Sequence, residues 1–196
     1  MRKLMLVTPA RSGTHIILGG LREQHDCILW HPQHHSGDWD TSRERLYLER
    51  RDSYEWARTI TYNHYYRPHV FGGAYPDNLW TADQQRISME HQQERLAQQG
   101  PVLLKPSHFK PMVEHWCDYL VFKRQYPSEW PTLYYEDVSV NPDQELGKWQ
   151  LEHRPKLASV RTPKIPPREA WQNPEEFRHM WPKWIAAEMQ NRIGKG

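Results

Sequence analysis

The chain has 196 residues, 37% of them hydrophobic and 26% charged, with 10 Trp and 10 Tyr supplying much of the apolar surface, a balance that excludes a disordered chain and suits one sizeable core. A formal charge of +2 is too small for a nucleic-acid coat and fits a single pocket that collects a small polyanion. After Met1-Arg2-Lys3 the apolar run is far shorter than a secretory core or a spanning helix of about 20 residues, so the expectation is a cytoplasmic protein with no membrane partner and with Cys27 and Cys117 as free thiols.

Residues 3–8 read as an apolar strand, and a helix is predicted over 13–24. Between them Arg11, Ser12, Gly13 and Thr14 make an anion cradle. Gly13 lets the backbone come close to a ligand, the amides that follow point at it from a helix N-terminus, Ser12 and Thr14 add hydroxyl donors, and Arg11 adds a full charge. The guest expected from these residue types is phosphate-like or sulfate-like. A nucleotide-hydrolysing P-loop would carry Lys directly after its last glycine, and none follows Gly13.

A second strand is predicted over 26–31, ending at His31, with His34 and His35 just beyond it. A third, over 45–50, leads through Arg51 into a helix over 53–66, with Thr59 about two turns on. Residues 67–82 read as a loop or lid, preceded and entered by an aromatic, His-rich stretch suited to an acceptor. Beyond it come a helix over 83–98, a short strand over 102–105 ending at Lys105, a helix over 109–125, a strand over 131–135 that runs into Glu136 and Asp137, and a helix over 174–192. Strands that alternate with helices imply one α/β domain over 1–196: three layers, α/β/α, around a central, mostly parallel sheet, with ligands at the carboxyl ends of the strands.

Three of these segments resemble the sulfotransferases that use 3′-phosphoadenosine 5′-phosphosulfate. Thr8-Pro9-Ala10-Arg11-Ser12-Gly13-Thr14 is similar to their 5′-phosphosulfate loop of Pro, Lys or Arg, Ser, Gly, Thr, Thr, with Ala10 inserted after Pro9 and His15 in place of the second Thr. Arg51, Glu55, Ala57 and Thr59 fall on the places of the family's Arg-Asp-Pro motif with its acidic residue, Ala and Ser; Ser53 replaces the Pro and Thr59 the Ser. Tyr135-Glu136-Asp137, followed by Asn141-Pro142, resembles the family's Tyr-Glu-Asp strand end. Lys164, Trp171 and Asn173 are similar to parts of its C-terminal loop, without that loop's glycines.

The resemblance implies a P-loop-like fold and transfer of a sulfuryl group to the hydroxyl or amine of a small-molecule or carbohydrate acceptor. It assigns Arg11, Ser12, Gly13, Thr14 and His15 to the 5′-phosphosulfate, and Arg51 and Thr59, with Lys164 and Arg168, to the 3′-phosphate. Arg11 would also neutralise the transferring group. His31 stands where many members carry the general base, with His34, His35 or a carboxylate elsewhere as alternatives. No metal is expected, because no zinc-type spacing accompanies the histidines. Two other functions stay open on the residues alone: a P-loop-type nucleotide or small-molecule kinase, and a non-catalytic nucleotide-binding protein on the same scaffold.

Overall fold

A computed structural model describes residues 1–9, 14–32, 40–66, 82–151 and 169–193, with backbone alone for 14–16, 63–66, 82–86, 88, 89 and 92. The elements in chain order are β1 (Lys3–Val7), α1 (Thr14–Arg22), β2 (Asp26–Trp30), β3 (Glu44–Glu49), α2 (Ser53–Tyr66), α3 (Ala82–Gln99), α4 (Pro106–Gln125), β4 (Leu133–Tyr134), α5 (Tyr135–Val140), α6 (Pro142–Gly147) and α7 (Trp181–Ile193). The chain divides into two compact units, Met1–Trp56 with Glu114–Ser159 and Ala57–Val113 with Val160–Gly196.

The first unit holds the sheet, in the order β2-β1-β3-β4. Every pair is parallel; Leu6 of β1 lies between Leu29 of β2 and Leu46 of β3. Side chains alternate across a strand, so β1 sends Leu4 and Leu6 to one face and Met5 and Val7 to the other. On the first face these leucines join Leu46 and Leu48 and pack against Ile17, Leu18 and Leu21 of α1, Val138 of α5 and Leu146 of α6. On the second, Met5, Val7 and Tyr47 meet Tyr119, Leu120 and Phe122 of α4. Helices on both faces make the architecture a three-layer α/β/α sandwich. The all-apolar run of β1 follows from this burial on both sides, and each fully covered leucine contributes roughly 1.5–3 kcal/mol.

The second unit, among the described residues, is built on helices and aromatic packing. Phe109 of α4 sits within 5.7 to 6.3 Å of Phe177, Trp181 and Trp184. Arg58 is fully buried and donates to Glu175 and to the Pro174 carbonyl.

Three sequence expectations change. The strand expected over 102–105 reduces to a single parallel bridge between Val102 and Trp171, because Pro101 and Pro106 at its flanks offer no N–H to a ladder. The strand over 131–135 keeps only Leu133 and Tyr134, after which α5 starts at once; Pro131 before it removes a donor. The helix over 174–192 begins only at Trp181, with turns before it, since Pro182 fits the first turn of a helix and not its middle. The free cysteines Cys27 and Cys117 are both buried. Among the described residues no helix is long and apolar enough to cross a membrane.

Candidate active site

Three strands deliver the candidate residues to one edge. Val7 at the end of β1 lies beside Trp30 at the end of β2 and is in register with Tyr47 of β3. From β1 the chain moves outward to β2, whereas from β3 it moves the other way to β4. The crevice beyond β1 and β3 is therefore the topological switch point, where open parallel sheets take their ligands. With neighbouring strands about 4.8 Å apart, the exits of β2 and β3 stand only about 10 Å apart across β1.

Thr8, the first residue after β1, is fully buried and tied to the β2 side by both halves of its backbone. Its N–H donates to the Trp30 carbonyl at 3.2 Å, and its own carbonyl accepts from Nδ1 of His31 at 2.7 Å. A carbonyl can only accept, so Nδ1 carries the hydrogen and, in the neutral ring, Nε2 carries the lone pair. That tautomer is the one a general base needs. The same bond fixes the peptide from which the cradle loop departs.

Beyond that loop, Thr14 and His15 form the first turn of α1, whose backbone N–H groups have no partner within the helix. Arg11, Ser12 and Gly13 lie outside the described residues, as do His34, His35, Lys164, Arg168 and the 67–81 stretch.

At the exit of β3, Asp52 caps α2: its side chain accepts the Glu55 N–H at 3.0 Å. Arg51 is thereby fixed one residue ahead of the cap. Its guanidinium lies over the Tyr134 ring, 4.4 Å from the centroid, and binds Asp137 through Nε and Nη2. Arg50 repeats the arrangement, over Tyr135 at 5.0 Å and bonded to Glu136 at 2.5 Å, while the second oxygen of Glu136 accepts the Arg51 backbone N–H. Arg51 holds the Asp137 carboxyl below the ordinary carboxylate range by hydrogen bond and charge, so the pair is ionised at neutral pH.

Sequence reasoning found Arg51 but missed what holds it. Glu136 and Asp137 stood in the sequence only as a strand end. The signal was present in two adjacent arginines and the run Tyr134-Tyr135-Glu136-Asp137, but nothing local pairs segments 85 or 86 residues apart.

Buried Glu49 ends β3 on the opposite face, where Oε1 accepts from Tyr119 at 2.8 Å and Lys123 at 2.5 Å. Burial drives the Tyr119 phenol well above its usual range, so it stays a donor. This cluster binds α4 to the sheet. Thr59 is a half-buried residue of α2 and falls in the second unit. There too Lys105 is exposed, and Asn173 exchanges hydrogen bonds with both backbone groups of Leu104, a role within the fold.

Comparison with protein-family models, with curated proteins and with solved structures finds no match to this chain.

Proposed function

We propose that this protein moves a sulfuryl group from 3′-phosphoadenosine 5′-phosphosulfate to a hydroxyl or amine of a small-molecule or carbohydrate acceptor, in the cytoplasm. The observation that carries the reading is the bond from His31 to Thr8, which ties the residue in the base position to the strand that leads into the Arg11–Thr14 cradle. Arg51 leaves the adjacent strand at the same edge, so groups for both ends of the nucleotide issue from the switch point. The donor set fits the ligand: Arg51 keeps an exposed guanidinium edge for a phosphate.

On this reading the hydroxyls of Ser12 and Thr14, the backbone at Gly13 and His15, and the charge of Arg11 hold the 5′-phosphosulfate. Arg51 holds the 3′-phosphate. His31 Nε2 takes the acceptor's proton as the acceptor oxygen or nitrogen bonds to sulfur; the bond from sulfur to the bridging oxygen breaks, and adenosine 3′,5′-bisphosphate leaves. Arg11 meets the negative charge that gathers on that bridging oxygen.

The test is a thermal-shift titration with adenosine 3′,5′-bisphosphate in the absence of divalent metal. At 100 times its Kd the ligand adds about 2.7 kcal/mol, which for a chain of this size raises Tm by roughly 5–10 °C. No shift with the bisphosphate but a shift with magnesium ATP would move the assignment to a kinase. Binding without turnover across hydroxyl and amine acceptors would leave a nucleotide-binding protein.

A further inference from the structure

Arg51 is held in a way that stability alone does not explain. Its side chain is 56% exposed, and an ion pair so exposed adds little to folding. The stapling of β3 to α5 is already made by the more sheltered Arg50, 19% exposed, and by the Arg51 backbone N–H, both bound to Glu136. What Asp137 adds is orientation. It takes the Nε and Nη2 edge of the guanidinium, while the Tyr134 ring fixes the plane. The remaining Nη1–Nη2 edge meets no acceptor among the described residues, and a fork of that shape matches two oxygens of a phosphate.

Asp137 is itself well placed to serve as a fixed point. It lies in the first turn of α5, and its carbonyl accepts the Asn141 N–H at 2.9 Å. The strand pairing of Glu49 with Tyr134 then sets the distance between the two segments.

We propose that Tyr134 and Asp137 are positioning residues that hold the outer edge of Arg51 ready for a phosphate monoester, so that the 3′-phosphate is recognised by a fork whose direction is set before binding. The proposal rests on the nucleotide reading above and names the residues that give it selectivity. Pre-setting the fork removes the ordering cost of a long side chain from the binding step. Asp137 offsets part of the charge of Arg51, so the arrangement favours discrimination over raw attraction.

The experiment is calorimetric titration of the full chain with adenosine 3′,5′-bisphosphate and with adenosine 5′-phosphate, read as the ratio of the two Kd values. Arg51→Ala should lower the ratio by roughly 10- to 100-fold, as expected when a hydrogen-bonded charge is lost. Asp137→Ala should lower it in the same direction, Asp137→Asn should recover part of it through the remaining acceptor oxygen, and adding Asp137→Ala to Arg51→Ala should change nothing further. As a readout independent of affinity, the Arg51 Nε–H signal in ¹⁵N NMR should broaden in Asp137→Ala. An Asp137→Ala protein with the wild-type ratio, or one weakened equally for both nucleotides, overturns this proposal alone. A wild-type protein that binds neither nucleotide overturns the functional reading together with it.

Discussion

The two edges of the parallel sheet carry arginines held in the same manner and finished differently. At the amino edge Arg2 lies over Trp130, 4.8 Å from the centroid, and gives Nε and Nη2 to the Glu44 carboxylate, just as Arg51 at the carboxyl edge lies over Tyr134 and gives Nε and Nη2 to Asp137. Arg2 then spends Nη1 on the carbonyls of Trp149 and Gln150, at 3.2 and 3.4 Å, the second presented by a residue in the left-handed region at φ 51°. Arg43, beside it, likewise commits each of its three nitrogens, to Asp40 and to the side chain and carbonyl of Asp26. Arg51 meets no such carbonyls among the described residues, and its side chain is twice as exposed, 56% against 28%. An arginine whose three nitrogens all find acceptors within the fold is a structural tie. One that is oriented and keeps an edge clear of the described residues is, on the reading proposed above, prepared for a ligand.

If that contrast is right, substitutions at the carboxyl edge remove chemistry and spare the fold. The largest effect is expected at His31 and Arg11. His31→Asn should lower kcat by roughly 10²- to 10⁴-fold, the usual reach of a positioned base, and Arg11→Ala by about 10²- to 10³-fold, with Arg11→Lys retaining measurable activity. Both variants should melt within a few degrees of wild type. A Tm that collapses would place these residues in the scaffold.

The amino edge should behave the opposite way. Arg2→Ala removes a carboxylate pair, two carbonyl contacts and a ring contact, for an expected loss of about 2 kcal/mol or a Tm lower by roughly 4–8 °C, with nucleotide affinity unchanged. Weaker nucleotide binding in that variant would erase the distinction between the edges.

A smaller effect follows from pH. His25 sits at the amino edge with both ring nitrogens shielded from solvent and without a hydrogen-bond partner among the described residues. Burial first, then the charges of Arg2 and the N-terminus, depress its pKa, against a weaker pull from Glu44. A base with a depressed folded pKa favours folding while neutral, so its contribution is intact above the unfolded value near 6.5 and declines as pH falls below it. Tm should therefore drop between pH 7.5 and pH 5.5, and His25→Asn should flatten that slope. A profile unchanged by the substitution would move the effect elsewhere.

The smallest effect is the matched one: Arg51→Ala, at an exposed pair, should leave Tm within about 2 °C of wild type. A loss as large as that of Arg2→Ala would make Arg51 a tie like its counterpart.

How much of this could be read from the chain depends on distance along it. The strand over 3–8, the helix over 13–24, the strand ending at His31 and the passage through Arg51 into α2 are written in local periodicity and cap residues, and among the described residues the structure has these elements within a residue or two at most ends. Asn141-Pro142 announces α6 for the same reason, since proline suits the first position of a helix. The sequence by itself thus determined most of the elements, their order and the three-layer class, though not α5 or the loss of the strand over 102–105. Only the tertiary structure decided that β4 would shrink to two residues, that the order would be β2-β1-β3-β4, and which arginine would be saturated and which left open. Arg2, Arg50 and Arg51 are alike as letters. Their fates differ because their partners are reached from 42 to 148 residues away, and no local pattern encodes whether a carbonyl will stand behind the carboxylate when the strands have paired.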